Sequence, residues 1–194
     1  TRRLEKSGQN PTDYPGLTRD VGRLFLGMDL QCAECHNHRE IDDYNQVDFQ
    51  GLFATFSNLT LLRTEYPAVE EKLMKTKLEY ASVFTQRQRL IGPKVPGLDE
   101  VEIATFEKGE EYLQIPDRKT KTPGVPKFSP LENFAEQIPQ SPTFATNIVN
   151  RLWFLMMGRG LVHPLDQLHS ENPPSHPEVL DLLAKEFVAH EYDV

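Results

Sequence analysis

Cysteine is scarce in this 194-residue chain, which has only two. A disulfide framework is thereby excluded, because Cys32 and Cys35 lie too close in sequence to staple distant parts of a fold. No apolar run approaches the roughly 18–20 residues of a membrane span, so no spanning segment is expected in this stretch, and no signal peptide is visible. Clustered positive charge is also missing. With 21 basic against 29 acidic side chains the net charge is −8, which argues against nucleic acid as a partner, since phosphate neutralisation needs grouped Lys and Arg. The densest basic run, Arg118-Lys119-Thr120-Lys121, lies among prolines and reads as a solvated loop. Hydrolase and nucleotide-enzyme signatures are absent: there is no G-x-S-x-G, Walker loop, G-x-G-x-x-G or H-E-x-x-H. Hydrophobic residues make up 38%, below the usual ~45–50%. With 15 prolines, this fits a globular core joined by irregular connections. Thr1 and Val194 both read as cuts, so an internal fragment of a larger protein is expected.

What is present is organised in three stretches. Residues 1–16 read as a polar loop. Leu17, Val21, Leu24, Phe25 and Met28 recur at three- and four-residue steps and predict a helix from about Thr18 to Gln31. A second helix is expected over Gln46–Asn58, with Asn45 as N-cap, Asp48 in the first turn and Phe49, Leu52, Phe53 and Phe56 as its stripe. Pro67–Ile91 reads as a long charged helix with a thin stripe of Val69, Leu73, Tyr80 and Phe84. From Pro93 to Pro142 prolines recur, and Val101–Phe106 alternates like one short strand. This connector carries spaced apolar groups, among them Leu98, Tyr112, Ile115 and Phe128, so it is expected to be a strap packed across both ends. Phe144–Met157 is a strong helix closed by Gly158 and Gly160. Ser175-His176-Pro177-Glu178 reads as a capping box, with Ser175 at N-cap. Arg151 is expected to be paired, and Trp153 to pack on Leu180 or Leu183.

The concentrated chemistry is Cys32-Ala33-Glu34-Cys35-His36, a C-x-x-C-H sequence. Two thiols at this spacing reach the two vinyl groups of one haem and form thioethers, and the adjacent imidazole ligates the iron. Zinc is a rival: Cys32, Cys35 and His36 or His38 could supply ligands, with a distant histidine completing the set. A redox disulfide is another, since C-x-x-C lowers a thiol pKa, and two buried thiols with no cofactor is a fourth. A distal haem ligand could come from Met28, Met74, Met156, Met157, His163 or His169. The methionines read first as core filling, and His163 and His169 as loop residues. Asp42-Asp43 beside the motif read as solvated acids.

Leu24 to His38, with its Phe25-Leu26-Gly27 and Gln31-Cys32-Ala33-Glu34-Cys35-His36-Asn37-His38 stretches, resembles the C-terminal part of domain of unknown function 1549, and Asp48 to Phe56 continues the match. Val149-Asn150-Arg151-Leu152-Trp153, Gly158 to Val162, Asn172 to Glu178 and Glu186 to His190 resemble the start of domain of unknown function 1553. Where members often carry His-Pro after the motif, this chain has His38-Arg39. The resemblance implies a planctomycete-type, exported, cytochrome-associated multidomain protein, partnered by cytochrome c domains or another redox protein.

Together these readings give a mainly α chain whose Pro-rich connecting region contains at most a short β element. The boundaries are 1–62 for the 1549-like part, 63–127 for the long helix and connector, and 128–194 for the 1553-like part. The expected role is a haem c-linked, extracytoplasmic module in redox or electron transfer, with Cys32 and Cys35 as thioether residues and His36 on the haem iron. The alternative is a structural module in cell-surface assembly or polysaccharide processing, with zinc on Cys32, Cys35, His36 and His38.

Overall fold

Asp13, Pro15 and Gly27 set the limits of the first helix. In the computed structural model, which describes residues 13–62, 68–117, 119–120 and 122–194, α1 spans Tyr14–Leu26. Asp13 caps it by accepting from the Gly16 amide at 2.9 Å, and Pro15 lies in its first turn, where a missing N–H is harmless. Gly27 ends it with φ +67, a left-handed conformation that favours glycine. The helix therefore starts about four and stops about five residues earlier than its apolar spacing suggested, and residues 14–16 are helical instead of loop. The remainder of the polar N-terminal stretch lies outside the described residues.

The second helix, α2 (Gln46–Phe56), begins at the expected place. Asn45 is extended there, but its side chain makes no cap bond. Asn37 does that work: its Oδ1 accepts from the Gln46 amide at 2.9 Å. Asp48 is buried and ion-paired with Lys94 at 2.9 Å. Phe49 and Leu52 are fully buried, each worth about 1.5–3 kcal/mol relative to exposure.

The fold is mixed α/β, not mainly α, and the connector is responsible. The long helix expected over Pro67–Ile91 does not form: the described residues 68–91 contain no helix. Three antiparallel hairpins form instead: β1 (Leu59–Leu62) with β2 (Ala68–Glu71), β3 (Leu78–Ala81) with β4 (Gln88–Ile91), and β5 (Tyr112–Gln114) with β6 (Val125–Pro126). Along Leu78–Ala81 exposure alternates with a period of two, with Tyr80 inward and Glu79 and Ala81 outward. Gln86 turns the β3–β4 loop with φ +53. Val69, Leu73, Tyr80 and Phe84 could be laid on one helical stripe, but β-branched and aromatic residues on both sides of a turn pair better as strands. Val101–Phe106 is not a paired strand. Its Val101, Ile103 and Phe106 pack on a cluster of Ala54, Met74 and Phe128.

Three further helices complete the chain: α3 (Pro130–Gln137), α4 (Phe144–Met157) and α5 (Pro177–Ala189). Ser129 caps α3 through the Glu132 amide and also donates to Glu71. The cap of α5 is His176, not Ser175. Pro177 has its φ preset for the first helical position, so the helix opens there and Ser175 falls one place outside it. Trp153 packs with Leu183 on a cluster of Val149, Leu161, Val162 and Leu180. Met156 and Met157, read from sequence as core, are exposed, because the stripe of α4 that meets this cluster runs through Val149 and Trp153 and leaves the last turn facing outward.

One principal core draws on all three stretches. Val21, Leu26, Met28, Leu30, Ala33, Tyr44, Phe49, Leu52 and Phe56 pack with Val95 of the connector and Ile138 beyond it. The Ser141 hydroxyl donates to the Pro96 carbonyl at 3.3 Å, and the Phe56 and Phe134 rings meet edge-on at 5.2 Å.

Candidate functional site

Between α1 and α2 the chain makes a single 3-10 turn, Cys32–Glu34, followed by a polar loop to Tyr44. The two middle residues of the motif face the scaffold. Ala33 is fully buried. Glu34 pairs its carboxylate with Arg19 of α1, and its carbonyl accepts from Gln50 Nε2 of α2 at 2.9 Å. One turn along α1, Arg23 grips Asp29 with both carboxylate oxygens at 3.0 Å, and this carboxylate raises the guanidinium pKa above its ordinary value. With its inner residues tied down, the turn leaves Cys32 and Cys35 as free, exposed thiols. Their amide and carbonyl close the turn, Cys35 N–H to Cys32 O at 3.3 Å.

His36 and His38 have opposite hydrogen-bond roles. Nδ1 of His36 lies 2.6 Å from the Asn37 carbonyl, which can only accept. In the neutral ring Nδ1 therefore carries the proton and Nε2 keeps a lone pair, the state in which imidazole binds a metal. Nδ1 of His38 lies 3.2 and 3.1 Å from the Glu40 and Ile41 amides, which can only donate. Its neutral proton is thus on Nε2, and no ring nitrogen is left to act as a ligand without breaking the loop. His38 orders the loop and meets Tyr44 edge-on at 6.1 Å.

Tyr44 is the hinge pin of this region. It is 1% exposed, burial pushes its phenol well above the ordinary range, and its hydroxyl donates to the Leu168 carbonyl at 3.3 Å. His169 meets the Tyr44 ring edge-on at 5.4 Å, so this histidine is brought to the motif loop, whereas His163 is exposed. Asp43, read as solvated, is held by the Ser170 amide, which keeps its carboxyl below the usual range. Of the other distal candidates, Met28 and Met74 are buried in two separate clusters.

The donor set is chemically suited to haem c: two free thiols at C-x-x-C spacing and a neighbouring imidazole with Nε2 available. The four-residue zinc set is not assembled. Among the described residues no three His, Cys, Asp or Glu side chains are grouped to hold a metal ion, and His38 is spent on backbone amides.

Sequence reasoning missed Arg19, Asn37 and Gln50, which hold the turn and its loop, and Val83 and Phe84, which lie against Cys35 and His36. Arg19 and Arg23 stand four apart on the face of α1 that meets Glu34 and Asp29, and that spacing was the available signal. The other four act through partners distant in sequence, or through a cap that only the turn creates.

Arg151 is paired, as its place on α4 suggested. It bonds Asp166, the Arg23 carbonyl at 2.6 Å and Asn147 Oδ1 at 3.1 Å. Asn147 donates to the Leu24 carbonyl at 2.8 Å, and Leu168 N–H donates to the Gly27 carbonyl at 2.9 Å. The C-terminal helices and the 162–170 loop thus pin both flanks of the motif, at residues 23–29 and 43–44.

Among the described residues no helix is long and apolar enough to cross a membrane. No curated protein and no solved structure matches the chain. Two families do match: PSCyt2, a protein of unknown function (DUF1549), over residues 4–60, and PSD1, a protein of unknown function (DUF1553), over residues 132–194. The chain therefore joins a segment that matches PSCyt2, which carries the Cys32–His36 turn, to a segment that matches PSD1, which pins that turn's flanks.

Proposed function

We propose that this chain is a haem c-bearing module of an exported multidomain protein, with a role in electron transfer to or from a cytochrome c domain or another redox partner. The observation that carries the reading is the orientation of the turn. Ala33 and Glu34 are tied inward, Cys32 and Cys35 are free and exposed, and the His36 Nδ1 proton is committed to Asn37. Cys32 and Cys35 would hold the macrocycle as thioethers, and His36 Nε2 would ligate the iron. Haem supplies there a one-electron couple whose potential follows its axial ligands. The chain's own part is to hold Ala33 and Glu34 against the scaffold, which leaves Cys32 and Cys35 open to attachment.

The test is production of the protein through a bacterial export pathway with c-type haem maturation, followed by alkaline pyridine haemochrome and mass analysis of the peptide containing Cys32–His36. One haem per chain is expected, lost from the Cys32→Ser/Cys35→Ser variant. His36→Ala should keep covalent haem while shifting its Soret band. Wild-type protein without haem would sink the proposal.

A further inference from the structure

The β3–β4 hairpin lies outside both family matches, at residues 78–91, yet it reaches the motif. Two hydrogen bonds bring it there. Val83 N–H donates to the Cys35 carbonyl at 3.1 Å, and Gln46 Nε2 donates to the Ala81 carbonyl at 3.1 Å. The tip is thus attached to the backbone of the second cysteine itself. As a result the Phe84 ring lies 4.8 Å from the His36 imidazole, tilted by 45°. The Arg39 guanidinium sits over the same Phe84 ring at 5.2 Å.

Val83 and Phe84 are nonetheless 57% and 61% exposed. Apolar side chains pinned at a hairpin tip and left in water gain nothing from burial, and neither joins a core cluster. They are held against the one place in the chain with free thiols and a free imidazole nitrogen.

We infer that the hairpin tip is part of the site: Val83 and Phe84 supply an apolar face for a planar macrocycle held at Cys32, Cys35 and His36, with Phe84 a positioning residue for the His36 ring. The inference rests on the haem reading and deepens it. Two thioethers and one imidazole fix a macrocycle along one edge and at its metal. The remaining apolar surface is stabilised only by apolar neighbours, and aromatic packing adds to plain area burial. Arg39 places a cation at the rim of this face, matched to a macrocycle that carries carboxylates.

The test uses haemin, titrated into the reduced, unloaded protein and followed by its Soret band, for wild type, Phe84→Ala and Phe84→Trp. Haem c content is measured in parallel on the exported proteins. Phe84→Ala should weaken haemin binding about tenfold, the loss expected for one aromatic packing contact, and shift the Soret band of the bound form. Phe84→Trp should restore both. Covalent haem should be unchanged in either variant, because the thioethers belong to Cys32 and Cys35. Since Phe84 is largely exposed, the urea midpoint should also hold, which separates a site effect from misfolding.

Equal haemin affinity and identical spectra with and without Phe84, in a protein that does carry haem c, would overturn the hairpin inference and leave the haem reading standing. A wild type exported without haem c overturns the haem reading. In that event a tenfold weaker haemin affinity in Phe84→Ala still supports the apolar face, and equal affinity removes it as well.

Discussion

Asn147 Oδ1 occupies the space where a β-carbon on Gly27 would stand, at 2.7 Å. The same side chain donates through Nδ2 to the Leu24 carbonyl and accepts from Arg151. The C-terminal end of α1 and the middle of α4 are therefore fitted to each other atom by atom. Gly27→Ala meets both the clash and the positive φ, and should destabilise the chain by about 2–4 kcal/mol. Asn147→Ala leaves the Leu24 carbonyl without its donor, and should lose about 1–3 kcal/mol. Urea unfolding of each single variant checks both values.

The shared core predicts one unfolding transition. Trp153, the only tryptophan, reports on the α4–α5 side, and amide exchange in α2 reports on the motif side. Both should give the same unfolding free energy. Two separate transitions would contradict this, as would rapid protease cleavage between residues 93 and 142 that leaves two folded halves.

Acid should loosen the clamp between Asp43 and Ser170. The Ser170 amide, assisted by the charge of His169, lowers the Asp43 pKa below its ordinary 3.8. A carboxyl depressed in the folded state stabilises fully above its unfolded pKa, and that contribution is lost as pH falls through the folded value. Asp43→Asn should therefore be less stable than wild type at neutral pH and converge with it in acid. Urea midpoints from pH 7 to pH 2 test this, and a gap independent of pH would refute it. Exposure of the pair keeps the effect small.

His38→Ala separates the two cofactor readings. It frees the Glu40 and Ile41 amides and should destabilise the loop by about 1–2 kcal/mol. Haem content per chain should not change, because His38 Nδ1 is committed to the backbone. A zinc set of Cys32, Cys35, His36 and His38 would instead lose affinity, which metal analysis beside the haemochrome would detect.

Where local chemistry decides, the sequence could be read. The first residue of α2 and both ends of α4 follow from apolar spacing and glycine stops, and Cys32, Cys35 and His36 stand out by spacing alone. Where partners distant in sequence decide, it could not. Val69, Leu73, Tyr80 and Phe84 fit one helical stripe by spacing, yet Val69 and Tyr80 pair in strands with residues that no local pattern identifies, and Phe84 falls in the β3–β4 loop. His36 and His38 are the same residue type two places apart. Their opposite roles depend on whether a carbonyl or two amides meet Nδ1, which the turn decides. Gly27 illustrates the intermediate case: its residue type signals a helix stop, but the earlier end of α1 was masked by apolar residues that continue past it.

The meeting of Phe56 with Phe134 has a consequence for the chain between them. The polypeptide leaves this point after α2, meets the same core again at Val95 and Leu98 and returns at α3, so the segment between Leu98 and Phe134 is a closed excursion. The entropy of closing a loop rises only logarithmically with its length, by about 0.6 kcal/mol per doubling. Relatives can therefore lengthen or shorten the β5–β6 region with little effect on the rest. Residues 78–95 lack that freedom: Val83 is tied to Cys35, and Lys94 to Asp48 and Gly51. Length variation should fall after residue 100 and spare the hairpin that touches the motif.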